Sequence, residues 1–195
     1  ENNNYSTYLG YNAGWNSIYN NATCLGSNSI VTGSNQLQLG DSSTASWSWG
    51  AVSDRSDMRD KIDIRETVLG LDFLLELKPS QYRYNYRDDY GGIRKYDYES
   101  HARGDKKRVR FHNGFIAQEV KDVIDRLGVD FAGYKDCSIN GGEDVLGLSY
   151  GEFISPIVKS IQEQHYIIET QNDKIDDLQQ QINNLTEIVE KLLVK

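Results

Sequence analysis

The chain has little that would cross-link it or hold it in a lipid bilayer. Only two cysteines, Cys24 and Cys137, occur in 195 residues. They lie far apart and outside any CxxC or Cys/His cluster, so neither a disulfide framework nor a zinc site is signalled and the redox compartment stays open. No window approaches 18 uninterrupted apolar residues, which excludes a helical membrane span. The opening ENNNYSTYLG lacks the basic-then-apolar order of a signal peptide. Basic charge is short as well: 21 Lys and Arg stand against 29 Asp and Glu, a formal net charge of -8. Binding nucleic acid requires basic surface to neutralise phosphates, so DNA and RNA are not expected partners. A first residue of Glu leads us to expect a piece of a longer protein, with any upstream functional domain outside it.

What remains is ordinary soluble composition, 38% hydrophobic and 26% charged, in a length that allows one or two domains. It is distributed in three zones. Up to about residue 52 the chain is rich in Asn, Ser, Gly and Tyr and nearly uncharged, and it repeats a pattern around Leu-Gly: YLGYNAG, CLGSNS, VTGSNQ, LQLGDSS. Gly26, Gly33 and Gly40 are seven apart, and the 16-residue step from Gly10 to Gly26 is close to two such units. Short strands and turns stacked as a solenoid-like shaft fit this spacing better than a flexible linker, because β-branched and aromatic residues recur between the glycines.

The middle zone reads as a mixed globular unit. ETVLGLDFLLELKP puts Val68, Leu71, Leu74 and Leu75 on one face and ends at Lys78-Pro79, which predicts a three-turn helix stopped before the proline. SQYRYNYRDD alternates Tyr82, Tyr84 and Tyr86 with polar residues, as a strand with one apolar face does. A Gly-Gly turn at 91–92 and a charged loop then lead to a return strand near Val109–Phe111. HNGFIAQEVKDVIDRLG runs from a strand end into a helix with Val120, Val123, Ile124 and Leu127 inward, closed by Gly128.

From Tyr150 to the end one heptad pattern persists. Ile154, Ile161, Ile168, Ile175, Ile182 and Val189 form one row; Ile157, Gln164, Gln171, Leu178, Leu185 and Leu192 form the second. This is a coiled coil about 65 Å long at a 1.5 Å rise per residue, so the chain must self-associate or find a helical partner. β-branched residues in the first row with leucine in the second favour two strands. Ile167, Ile188 and Leu193 widen the stripe beyond what two helices cover, and Gln164 and Gln171 can fix register. Periodicity leaves dimer and trimer both open.

Between the first two zones lies SDRSDMRDKI, residues 53–62. A serine that attacks an amide needs a base, and a lysine serves when desolvation or neighbouring cations favour its neutral form. Arg55 and Arg59 supply positive charge near Lys61, while Asp57 and Asp60 oppose them. Ser56 and Lys61 are five apart, about 140° around a helix, so the pair can meet only on a bent or extended backbone. Ser53, eight before Lys61, is a second candidate. Against both stands the reading of Ser-Asp pairs as helix caps and Lys61 as a solvated side chain. His101, His112 and His165 build no Ser/His/Asp arrangement from their spacing, and no metal set is signalled.

SDMRDKI, then LGLDFLLELKPSQYRYN, NGFIAQEVKDVI and LGLSYGEFISPIVKSIQEQ with a terminal coiled coil, together resemble the C-terminal self-cleaving intramolecular chaperone of phage tail spikes and fibres, as in endosialidase tail spikes. In character the chain is most similar to neck appendages of small Bacillus phages. The resemblance covers about residues 53–195. It implies an α+β homotrimer: a β-rich repeat shaft over 1–55, a mixed α/β globular chaperone unit over 56–149 and a coiled-coil helix over 150–195. It also implies autoproteolysis by a Ser-Lys dyad, with Ser56 and Lys61 catalytic, the cut between Arg55 and Ser56, and Asp57 and Arg59 in the supporting motif. Asp60 departs from the family's more usual apolar residue. Glu119 matches a family motif, with a helix-start carboxylate as its simpler reading. No cofactor is required; relatives make ATP a candidate ligand, although no GxxxxGK[ST] phosphate loop is present. The implied partners are an upstream spike polypeptide and, through it, a host cell surface. The implied location is the virion as a tail or appendage precursor, assembled in host cytoplasm, with the chaperone released after cleavage. A non-enzymatic trimeric stalk, or a host-binding tip using Tyr82, Tyr84 and Tyr86 as a carbohydrate platform, are the rival readings.

Overall fold

The structure is a computed structural model that describes residues 5–86 and 107–193. It is mixed α+β with a long C-terminal helix. The first zone is an ordered stack. Strands β1 (Thr7–Leu9), β2 (Thr23–Leu25) and β3 (Leu37–Leu39) pair in parallel, Thr7 opposite Thr23 opposite Leu37. The rungs are therefore 16 and 14 residues, the second being twice the seven-residue glycine spacing and the first two residues longer.

The chain turns the same way in each rung. Gly10, Gly26 and Gly40 follow the three strands with positive φ, and Tyr5, Asn21 and Asn35 precede them with positive φ. At Gly10 the requirement is also one of space, because a Cβ there would sit 2.5 Å from the Gly26 carbonyl oxygen of the next rung. Asn21 Nδ2 donates to Asn35 Oδ1 at 2.8 Å, so the corners stack as an amide ladder. The interior is narrow and filled by small residues, Ala22, Cys24, Ser29 and Val31, with the buried Ser29 hydroxyl donating to the Gly26 carbonyl at 2.9 Å. Leu9, Leu25 and Leu39 point outward from the sheet.

The globular unit is built on one apolar cluster of Leu69, Phe73, Leu77, Val120, Val123, Ile124, Phe131 and Phe153. Rings dominate it: Phe73 and Phe131 lie 5.2 Å apart, Phe131 meets Phe153 edge-on at 4.8 Å, and Phe115 stacks on Phe153 at 5.1 Å. Helix α1 (Leu71–Glu76) is six residues long, shorter than the three turns expected. Its face is also rotated from the expected one, with Val68 at 75% and Leu75 at 71% exposure while Phe73 and Leu77 go inward. The cause of the short start is Gly70. It is buried, at φ -122 and ψ -144, and a Cβ there would sit 2.4 Å from Glu163 Oε2, the oxygen that accepts from Leu71 N at 2.6 Å. The helix ends at Leu77, where the coming Lys78-Pro79 holds the chain extended.

Strand β4 (Ser80–Tyr82) pairs antiparallel with β5 (His112–Gly114), Ser80 opposite Gly114. The return strand thus lies three residues beyond the expected Val109–Phe111, although the Arg108 N–H still reaches the Tyr84 carbonyl at 2.7 Å. Burial alternates along 81–86 with Tyr82, Tyr84 and Tyr86 half-buried. Tyr84 stacks on Tyr86 at 4.7 Å and meets the Tyr82 ring edge-on at 5.3 Å. The Tyr84 hydroxyl and burial raise the Tyr82 hydroxyl's pKa. The expected Gly-Gly turn and charged loop fall outside the described residues.

Helix α2 (Ala117–Leu127) buries Val120, Val123 and Ile124. Leu127, expected inward, is 38% exposed at the rim, one turn past Ile124 where the chain is already leaving the core. Gly128, at φ 64 and ψ 34, closes the helix as expected, with Val129 N reaching back to Ile124 O at 3.0 Å. A hairpin of β6 (Tyr134–Asp136) and β7 (Leu146–Leu148) follows, anchored to the core by Tyr134 and Leu148.

After a 3-10 turn at Tyr150–Phe153, helix α3 runs Ile154–Leu193, about 60 Å at 1.5 Å per residue. Its base joins the core through Phe153, Pro156 and Ser160, and both heptad rows above stand exposed. No helix among the described residues is long and apolar enough to cross a membrane. Because Glu163 supplies the acceptor that α1 lacks at its own N-terminus, Glu163→Ala should destabilise the globular unit by about 1 kcal/mol. That corresponds to a thermal midpoint lower by about 3 °C in calorimetry, whereas Glu163→Gln should retain part of it.

Candidate functional site

The segment from Arg55 to Lys61 is folded by its own side chains. Asp57 is extended, at φ -66 and ψ 134, and its Oδ1 accepts from Arg59 N at 2.9 Å, starting a single 3-10 turn at Met58–Asp60. The turn is closed by Asp60 N to Asp57 O at 3.0 Å and Lys61 N to Met58 O at 3.1 Å. The Arg59 guanidinium grips the same Asp57 carboxylate, Nε to Oδ1 at 3.0 Å and Nη2 to Oδ2 at 2.6 Å. Those bonds hold the Asp57 carboxyl below its ordinary range and raise the Arg59 guanidinium's pKa.

A turn of this kind brings residues five apart face to face. Lys61 Nζ donates to Ser56 Oγ at 2.7 Å, and one step earlier Arg55 Nη2 pairs with Asp60 Oδ2 at 3.1 Å. Asp60, the residue that departs from the more usual pattern, thus holds the side chain of Arg55. Every residue from 51 to 66 is exposed, so neither the hydroxyl nor the amine is shielded from water by its own chain.

The other expected positions lie elsewhere. Glu119 is in the first turn of α2, with Oε2 buried and unpaired among the described residues. Among the described residues no hydrogen bond or ion pair joins it to Ser56 or Lys61. His112 packs against Tyr82 and Tyr84, and His165 Nε2 sits 3.3 Å from Glu169 on α3; His101 is outside the described residues. Among the described residues no group of three or more His, Cys, Asp or Glu could hold a metal.

Sequence reasoning missed how the site is tied to α3. Lys159 on α3 pairs with Glu66, five residues after Lys61, and lies 3.7 Å from Glu163, which in turn caps α1. The Lys159 contact holds the Glu66 carboxyl below its ordinary range. Two contacts thus run from the base of the long helix to the segment that follows Lys61. Nothing in a Lys or Glu on a heptad helix distinguishes such partners from solvated side chains.

Residues 56–129 match the family model described as chaperone of endosialidase. That stretch, well under half of the chain, is similar to that family. The match begins at Ser56 itself and spans the turn, α1, β4, β5 and α2. No curated protein matches the chain.

Proposed function

We propose that residues 56–195 trimerise the chain, fold the shaft and spike polypeptide ahead of them, and then release themselves by one cut between Arg55 and Ser56. The observation that carries the proposal is the 2.7 Å approach of Lys61 Nζ to Ser56 Oγ across the turn. In the reaction Ser56 Oγ attacks the Arg55 carbonyl carbon while Lys61 accepts the hydroxyl proton. The C–N bond breaks, Lys61 passes the proton to the departing Ser56 amine, and Arg55 is left as an ester on Ser56 Oγ. Water hydrolyses the ester to an Arg55 carboxylate and a free Ser56 hydroxyl.

Lys61 must be neutral to accept a proton, and an exposed ammonium is well hydrated. Burial disfavours the charged form, so association of chains around the turn would start the chemistry only once assembly is complete. Self-association is supported by the surface the chain carries. Its 15,609 Å² compares with roughly 9,400 Å² for a compact monomer of 22.2 kDa. Three strands are favoured by Ile167, Ile188 and Leu193, all exposed beside the two heptad rows.

The test is an intact-mass and denaturing-gel time course of the purified chain beside Ser53→Ala. Both should give a fragment whose first residue is Ser56. A chain that stays at 22.2 kDa in a stable assembly would remove self-cleavage and leave a trimerising stalk.

The turn itself should matter less than the pair it positions. Asp57→Ala removes both the cap and the Arg59 clamp, and cleavage should slow about tenfold. Because the Asp57 pKa is lowered from 3.8, the clamp is fully made above that value and is lost as pH falls through the lowered one. Asp57→Asn should therefore flatten the acid response of the Arg59 amide shift in NMR spectra.

A further inference from the structure

The globular unit touches the shaft through the tip of the β6–β7 hairpin. Asp136 caps a 3-10 turn at Cys137–Asn140, and Gly141 at φ 75 turns the chain back. The tip then meets the shaft at Thr32, in the segment between β2 and β3. Glu143 N donates to the Thr32 carbonyl at 2.7 Å. Thr32 Oγ1 lies 3.4 Å from Cys137 Sγ, and Tyr19 OH donates to Glu143 Oε1 at 3.3 Å. Gly142 approaches so closely that a Cβ would be 2.5 Å from the Thr32 oxygen.

The contact repeats the way the rungs bond one another. Within the shaft a backbone N–H of one rung reaches a carbonyl of its neighbour: Gly14 N to Ser29 O at 2.8 Å, Thr23 N to Gln36 O at 2.9 Å, Gly40 N to Leu25 O at 2.7 Å. At Thr32 the donor comes from Glu143 instead. The Gln36 side chain meanwhile accepts from Thr32 N at 2.7 Å and Gly33 N at 3.1 Å, so the backbone there is held ready. A solenoid rung has only its neighbours to bond, and the first rung to form has none. A preformed edge removes that difficulty.

We propose that the hairpin tip, Cys137–Glu143, is the template on which the shaft begins to fold, taking the place of a neighbouring rung at Thr32. The hairpin is anchored in the chaperone core, so stacking starts beside the chaperone and spreads toward the N-terminus. This rests on the chaperone reading but not on the cut, since the contact is made in the uncut chain.

The test uses a full-length chain carrying Ser56→Ala, which cannot be cut, and Cys24→Ala, which leaves Cys137 the single thiol. Adding Thr32→Cys places a second thiol against Cys137, and mild oxidation should link them within one chain, seen as single-chain mobility on a non-reducing denaturing gel. Refolding is then followed by pulsed hydrogen exchange at the Thr23 and Gly40 amides. The oxidised chain should protect them about tenfold sooner than the same chain reduced, because the template contact is already made. Equal rates, or no intrachain disulfide, overturn the proposal. In the companion variant Glu143→Pro, which lacks the donor N–H, those amides should lose protection while the α2 amides of Val120 and Val123 keep theirs. Full protection of the shaft amides in that variant also overturns it. Should the substitution unfold α2 as well, the oxidised-against-reduced comparison decides. A wild-type chain that never cleaves would end the dyad reading and leave these outcomes unaffected.

Discussion

Ser56→Ala and Lys61→Ala should each leave the chain whole at 22.2 kDa under conditions in which the wild type is cut to completion. The two failures should differ in kind. Without Oγ at Ser56 nothing can form the ester with Arg55, so no fragment appears at any time. Without Lys61 the hydroxyl remains but has lost the amine 2.7 Å away, and a residual rate lower by about 10²- to 10⁴-fold is expected, the usual worth of a positioned base. Lys61→Arg is the sharper control. It keeps a cation in hydrogen-bond reach of Ser56 but not a proton acceptor, since guanidinium does not deprotonate in proteins. An uncut Lys61→Arg chain that still assembles assigns Lys61 to proton transfer. Cleavage at the wild-type rate would reduce Lys61 to holding Ser56 in place and require another base.

How much of this could be read in the residues depends on whether the cause was local. The solenoid was legible because each rung needs a positive φ at the same corner, and Gly and Asn mark those corners in the sequence. Its period was misread by half. Gly33 completes a seven-residue series with Gly26 and Gly40, but it is not among the positive-φ glycines and a Cβ there would meet Gly142 only at 3.8 Å, an ordinary contact, so it marks no corner. The α2 pattern gave its close at Gly128 and three of four inward residues, because a helix face is set by its own periodicity. The α1 pattern did not. Its start is fixed by Glu163, 92 residues away, and its face by Phe131 and Phe153 packing on Phe73. Ser56 and Lys61 were legible as a pair that needed a bent backbone. The device that bends it, an Asp57 carboxylate capping a turn closed by Arg59, was visible only as alternating charge.

Ile168→Asp should convert the assembly to single chains and, with it, abolish cleavage. Ile168 lies at the middle of the first heptad row and is 51% exposed in the chain alone, where partner helices would cover it in the proposed trimer. Three aspartates in one layer would each lose hydration and repel the other two, a cost of several kcal/mol per chain against a seam with few layers to spare. Sedimentation mass should fall from three chains to one. The cleavage result carries more, because Ser56 and Lys61 face each other within one chain and the substitution lies more than 100 residues away. Two routes connect them. Partner chains would shield the turn from water, and a seated α3 would steady the Lys159–Glu66 and Glu163–Leu71 contacts that hold the segment after Lys61. If the single chains stay uncut, the chemistry waits for assembly, and removal of the coiled coil follows only where the shaft has already been aligned. If they cut at the wild-type rate, the turn suffices by itself, and release would have to be timed by the folding of the shaft against the hairpin rather than by the helices.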